Sequence, residues 1–166
     1  MSKQYDVVIV GSGPAGIFTA LELVGTRPGL KILVLEKGRD INKRVCVARE
    51  QGGGCVNCSP CSTICGWGGA GAFSDGKLTL STEIGGSLEQ YAGMDGLAGL
   101  IEYVDQVYVK FGAPEQIFGL EHEEEINEIQ RRAILSELKL IPVRIRHMGT
   151  GRCQEVLQRM QEYLVA

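Results

Sequence analysis

An apolar β-branched run, a G-x-G-x-x-G turn, a stretch of helical period and a second apolar run, in that order, predict an α/β fold. The first run is Val7, Val8, Ile9 and Val10, the composition of a strand buried on both faces. Gly11, Gly13 and Gly16 supply the turn, and Ile17, Ala20, Leu21 and Val24 then recur on one helical face. Lys31 to Leu35 forms the second run, closed by Glu36. Strand, helix, strand and terminal acid make a βαβ unit of the Rossmann type.

Each residue of the turn has a chemical reason to be there. Gly11 permits the tight exit from the strand, Gly13 lets a pyrophosphate approach the backbone, and Gly16 lets the helix pack closely on the sheet. The helix start aims unpaired N–H groups and a positive dipole end at phosphates. Ser12, Pro14 and Ala15 fill the intervening positions and are candidates with the glycines. Glu36 stands 20 residues past Gly16, where a carboxylate accepts hydrogen bonds from ribose hydroxyls and repels a 2′-phosphate, which disfavours NADP. The plainer alternative is a glycine turn in a βαβ unit without a ligand.

Composition narrows the function classes. At 44% hydrophobic and 22% charged residues over 166 positions, the chain can bury a core of ordinary size. A net charge of −3, with no basic patch, gives no electrostatic case for nucleic acid or an anionic membrane. No apolar run reaches the length of a membrane span, and Gly11 interrupts the first one too early for a signal peptide. A cytoplasmic, reducing location is the expectation, and six cysteines in such a compartment point to metal or redox chemistry before structural disulfides.

After the first unit, Lys37 to Glu50 is mixed and basic, a solvated face or a neighbour of the nucleotide through Lys37 and Arg39. Cys55, Cys58, Cys61 and Cys65 follow at C-x2-C-x2-C-x3-C spacing, an interval at which thiolates from one tight loop can converge on a metal centre. In ferredoxin-type runs of this spacing the fourth cysteine serves another cluster and precedes proline; here Gly66 follows. The candidate ligands are therefore three cysteines of the run plus Cys46 or Cys65, holding a [4Fe–4S] cluster, or zinc as second choice. A redox dithiol and plain reduced thiols are the alternatives.

Gly68 to Ala72 is a run of small residues that allows a backbone to approach a flat or charged ligand, with Ser74, Asp75 and Lys77 as polar neighbours. A short strand is expected over Lys77 to Ser81. Asp95 can cap a helix whose Leu97, Leu100, Ile101, Val104, Val107, Tyr108 and Phe111 share one face, ended by Gly112 and Pro114. Glu121 to Glu125 opens another helix with Ile126, Ile129 and Ala133 inward, and His122 reads as an exposed bystander. Lys139 to His147 alternates as a half-exposed strand, with Arg144 and Arg146 outward. A last helix from Thr150 carries Cys153, Val156, Leu157, Met160 and Leu164 toward a core. His147 is a candidate acid–base group without an evident partner, and no catalytic residue is assigned.

The opening V-V-I-V-G-S-G-P-A-G with Glu36 resembles the FAD-binding domain of two-dinucleotide-fold flavoproteins. The segments C-V-N-C-S-P-C, G-G-A-G-A-F-S-D-G-K-L and V-Y-V-K-F-G-A-P are similar to an uncharacterised family of bacterial and archaeal FAD-dependent dehydrogenases, along essentially the whole chain. The resemblance implies bound FAD and an oxidoreductase role on a small molecule or redox partner. By its pattern Gly11, Gly13, Gly16 and Glu36 hold the ADP half, and Gly69, Ala70, Gly71, Ala72, Phe73 and Ser74 face the pyrophosphate or flavin. G-G-C-V-N-C also resembles a segment of flavin-dependent disulfide reductases. Those have four residues between their cysteines, against two from Cys55 to Cys58 or five from Cys55 to Cys61 here. The rivals are thus a disulfide reductase using Cys55 and Cys58, and a non-catalytic module binding zinc and a nucleotide.

The expected organisation is an FAD-binding βαβ unit over 1–50, a Cys- and Gly-rich loop of the same domain over 51–95, and the start of a second, substrate or cap domain over 96–166. Members of the resembled family run to several hundred residues and complete the first domain with distant strands. The resemblance therefore implies a fragment with an unfinished sheet, whose missing partner is a C-terminal part of its own chain.

Overall fold

A computed structural model describes residues 4–119 and 121–166, apart from the side chain of Thr150. The chain forms β1 (Val7–Val10), α1 (Pro14–Thr26), β2 (Ile32–Leu35), α2 (Val47–Gln51), β3 (Lys77–Thr79), α3 (Glu89–Lys110), α4 (Glu123–Leu135), β4 (Ile145–His147) and α5 (Thr150–Val165). Short 3-10 turns lie at Ile41–Lys43 and Gly69–Phe73. The fold is mixed α/β, and it divides into two compact units. One comprises the residues through Gly76 together with Thr150–Ala166; the other is Lys77–Gly149.

In the first unit β1 and β2 pair in parallel, Val7 opposite Ile32 and Val10 opposite Leu35, with α1 as the crossover between them. Ile17, Ala20 and Leu21 of α1 are buried, as the helical period predicts. The expectation of a strand buried on both faces is corrected. Val7 and Ile9 are partly covered, whereas Val8 and Val10 are 53% and 84% exposed and Leu35 is 48% exposed. α1 starts against one face of the two-stranded sheet, where Gly16 lies beside Ile9, and Val8, Val10 and Leu35 on the other face stay exposed.

α5 returns to this same unit, although the expected division groups it with 96–149. Its Cys153, Val156, Leu157 and Met160 are buried, Val156 and Met160 completely. The indole N–H of Trp67 donates to Leu157 O at 2.7 Å, so a loop residue and a helix 90 positions later are tied inside the core. Trp67, Cys65 and Ala72 are buried with them. The glycine-rich region is therefore ordered because its few large side chains pack against α5.

In the second unit β3 pairs antiparallel with β4, Lys77 opposite His147. Both strands are shorter than the sequence pattern implies. Arg146 corrects the expected outward direction: it is 4% exposed, and its guanidinium forks onto Asp105 of α3, with Nη2 at 2.7 Å from the carboxylate. Another guanidinium nitrogen donates to Pro114 O. α3 begins earlier than Asp95 and kinks at Gly93, whose φ of 70° is outside the helical range. None of its residues is fully buried, and Leu100 is 46% exposed. In α4 the expected inward Ile129 is exposed, and His122 is exposed in front of the helix, 3.5 Å from Glu125.

Candidate functional site

The β1–α1 turn is shaped by three glycines for three reasons. Gly11 has φ +99°, a backbone region that L side chains rarely adopt. At Gly16 a Cβ would collide with Gly11 O and touch Ile9, so only glycine lets α1 start so close to β1. A Cβ on Gly13 would meet nothing within 4 Å, which leaves open space over the helix start. Gly13 caps α1 without a side-chain hydrogen bond, and Pro14 occupies the first turn. The positive end of the helix is therefore left for an outside acceptor.

Glu36, at the end of β2, is the electrostatic centre of the unit. Its Oε2 accepts from Ser12 N–H at 2.9 Å and from the Ser12 hydroxyl at 2.9 Å. Its Oε1 accepts from Gly38 N–H at 2.8 Å and Gly66 N–H at 3.0 Å. Burial alone would raise the carboxyl pKa, but these four donors outweigh it and hold the group at about 2. Glu36 faces a crevice of about 330 Å³ that Ser12, Arg39, Asp40, Trp67 and Gln161 also line. Gln161 of α5 donates to Asp40 at 2.8 Å and closes one side of it. Lys37 is exposed, and no contact of its side chain enters this geometry.

The glycine loop folds onto the turn. Gly68 N–H donates to Ser12 O at 2.9 Å, and a Cβ on Gly69 would lie 3.4 Å from Gly13 Cα. Ala70, Gly71 and Ser74 are exposed, with the Ser74 hydroxyl donating to Gly71 O. Ala72 is fully buried against the side of α5, and Phe73 is half-buried. Of the expected loop candidates, then, Gly69 reaches the turn while Ala72 belongs to the core. Lys77 begins β3 in the other unit.

Arg44 is the functional-looking residue that the sequence reading missed. It is 4% exposed, and its guanidinium donates to Ser62 O at 2.9 Å, Thr63 O at 2.7 Å, Trp67 O at 2.7 Å and Gly69 O at 2.8 Å. It also lies 4.7 Å from the centre of the Phe73 ring. Burial lowers its pKa, and the charge of Glu36 opposes that. One side chain thus pins the cysteine loop and the glycine loop together. Nothing in a basic stretch of sequence marks one arginine as the buried one; the excess of donor-hungry carbonyls in a strand-free loop is the only available hint.

All six cysteines are free thiols. Cys46, Cys55, Cys58 and Cys61 line one cavity of about 240 Å³, whereas Cys65 is buried to one side of it. The thiol of Cys46 is lowered in pKa chiefly by the N–H of Arg49 and then by Thr63; that of Cys61 is lowered by the N–H groups of Thr63 and Ile64. Burial raises Cys153, which sits in the core as its helical position predicts. Among the described residues no three Cys, His, Asp or Glu side chains converge on a single metal ion. Likewise no helix among them is long and apolar enough to cross a membrane.

A family match to known proteins falls within the same first unit. Residues 6–61 match the family described as lycopene cyclase protein. A protein of Clostridium beijerinckii described as uncharacterized is 51% identical over 73 residues, 43% of this chain and 13% of that protein. Digeranylgeranylglycerophospholipid reductase 1 of Methanococcoides burtonii is 42% identical over 52 residues, 31% of this chain and 12% of the reductase. The chain thus matches only about an eighth of the length of these relatives.

Proposed function

We propose that this chain supplies the FAD-binding unit of a flavin-dependent oxidoreductase acting on a small molecule or redox partner. The observation that carries the reading is the meeting of the two glycine motifs: Gly68 hydrogen-bonds Ser12 and Gly69 abuts Gly13, above an uncapped helix start and beside the Glu36 crevice. The match over 6–61 and the likeness to a reductase support flavin-dependent redox chemistry.

In this reading the amides at the start of α1 receive the pyrophosphate, and Glu36 receives the adenosine ribose. A carboxylate has about four acceptor sites, and all four of Glu36 are taken by the chain's own donors. The Ser12 hydroxyl is the one donor among them that can rotate away, so a ribose hydroxyl takes its place. Gly69, Ala70, Gly71 and Ser74 border the pyrophosphate or the flavin ring. Bound FAD would supply the electron chemistry, while the protein binds, orients and shields it. The exposed face formed by Val8, Val10 and Leu35 supports completion of the sheet layer by more chain than is present here. The full-length protein should bind FAD, read by flavin absorbance and titration. Glu36→Ala should weaken that binding roughly 10- to 100-fold, the worth of a charge-assisted hydrogen bond. A full-length protein that takes up no flavin, or a Glu36→Ala variant that binds it unchanged, overturns the proposal.

A further inference from the structure

The second unit holds a cavity of about 660 Å³, all of whose lining lies between Lys77 and Gly149. Small-molecule sites run to roughly 300–1,000 Å³. One wall is α3, which presents Ala98, Ile101, Glu102, Asp105 and Gln106, residues that share one helical face. The other wall is the place where β3 ends and β4 begins. There Leu80 N–H donates to Arg144 O at 2.8 Å and continues the strand pairing past Thr79 and Ile145. The fork from Arg146 to Asp105 ties β4 to α3, so a largely buried ion pair sets the spacing of the two walls.

Three charged groups line the cavity, and one of them is already neutralised: Asp105 by Arg146. Glu102 and Arg144 remain, one on each wall. Neither belongs to an ion pair among the described residues, so two opposite charges face one space without meeting. Glu102 accepts from Gln106 Nε2 at 3.2 Å, which takes one of the roughly four acceptor sites of a carboxylate. The Ser81 hydroxyl accepts from Glu83 N–H at 3.1 Å and keeps its own proton to donate. Leu80, Ala98 and Ile101 supply apolar surface between these polar groups. A simple anion in this space would meet the charge of Glu102, and a simple cation that of Arg144. A molecule bearing both charges is complementary at both walls.

We propose that this cavity binds a small zwitterion with an apolar body, its carboxylate on Arg144 and its ammonium on Glu102. The planar guanidinium fork matches a carboxylate, and the body lies along Leu80, Ala98 and Ile101. The site is built within the second unit and does not rest on the flavin reading.

The test is isothermal titration calorimetry of the full-length protein with L-leucine, L-phenylalanine and 6-aminohexanoate as probes. At least one of them should bind saturably. The same carbon skeleton without its ammonium, or without its carboxylate, should bind at least about 10-fold more weakly, the worth of one charge-assisted hydrogen bond. Arg144→Gln and Glu102→Gln should each weaken the zwitterion by a similar factor. Ala98→Trp, which fills the cavity from an exposed helix position, should abolish binding. All three substitutions fall at exposed positions, and circular dichroism of each variant checks that the fold is kept. The proposal is overturned if none of the three probes binds, which is also the result expected if further chain fills the cavity. Equal binding of a singly charged counterpart overturns it too, as does binding that survives Ala98→Trp in a folded protein. Probe binding without flavin would sink the flavin reading and leave this one standing; flavin without probe binding would do the reverse.

Discussion

Glu36 and Arg44 do opposite electrostatic jobs a few residues apart. Glu36 is a carboxylate surrounded by donors, and Arg44 is a guanidinium surrounded by acceptors. Because the folded pKa of Glu36, about 2, lies below the ordinary 4.5, its contribution to stability is complete above pH 4.5. It drains away as the pH falls from there toward 2. Solvent screening at a partly exposed group reduces the contribution to about 2 kcal/mol. Glu36→Gln should therefore cost about that much at neutral pH in denaturant unfolding, and the gap between variant and wild type should narrow to roughly half near pH 3 and close near pH 2. Arg44→Ala leaves four carbonyls without their donor and should cost about 2–4 kcal/mol by the same measurement. Arg44→Lys should recover little, since one ammonium cannot replace a planar fork.

The β1–α1 turn separates a folding requirement from a ligand requirement. Gly16 is needed by the chain itself, because a Cβ there strikes Gly11 O. Gly16→Ala should lower stability by about 1–3 kcal/mol. Gly13 has an ordinary φ of −74° and open space around it, so Gly13→Ala should leave unfolding unchanged. The same Gly13→Ala should weaken FAD binding in a titration of the full-length protein. These elements were legible in the sequence because their signals are local: an apolar run, glycines at fixed spacing, a helical period. Cys153 was placed in the core for the same reason. What stayed hidden depends on partners far along the chain. Arg146 turns inward because Asp105 waits 41 positions earlier, and Arg44 is buried by carbonyls 18 to 25 positions later. Val8 and Val10 have a core composition, yet both are exposed. Composition reports what a strand can bury, while exposure depends on what arrives to bury it.

At the scale of the molecule, the first unit is discontinuous in sequence. The chain leaves it after Gly76 and rejoins it at Thr150. α5 contributes four of the unit's buried residues, Cys153, Val156, Leu157 and Met160, and accepts the Trp67 indole hydrogen bond. A chain cut after Gly149 should therefore lose cooperative unfolding of the first unit, seen by circular dichroism and by amide exchange in β1 and α1.

Trp67 is the lone tryptophan of the sequence, 8% exposed, and one wall of the crevice before Glu36. Its emission is thus a built-in optical gauge. Folded protein should fluoresce at short wavelength and shift to the red when α5 peels away. Filling the crevice with the yellow cofactor should quench that light stoichiometrically, so occupancy can be followed on unlabelled protein.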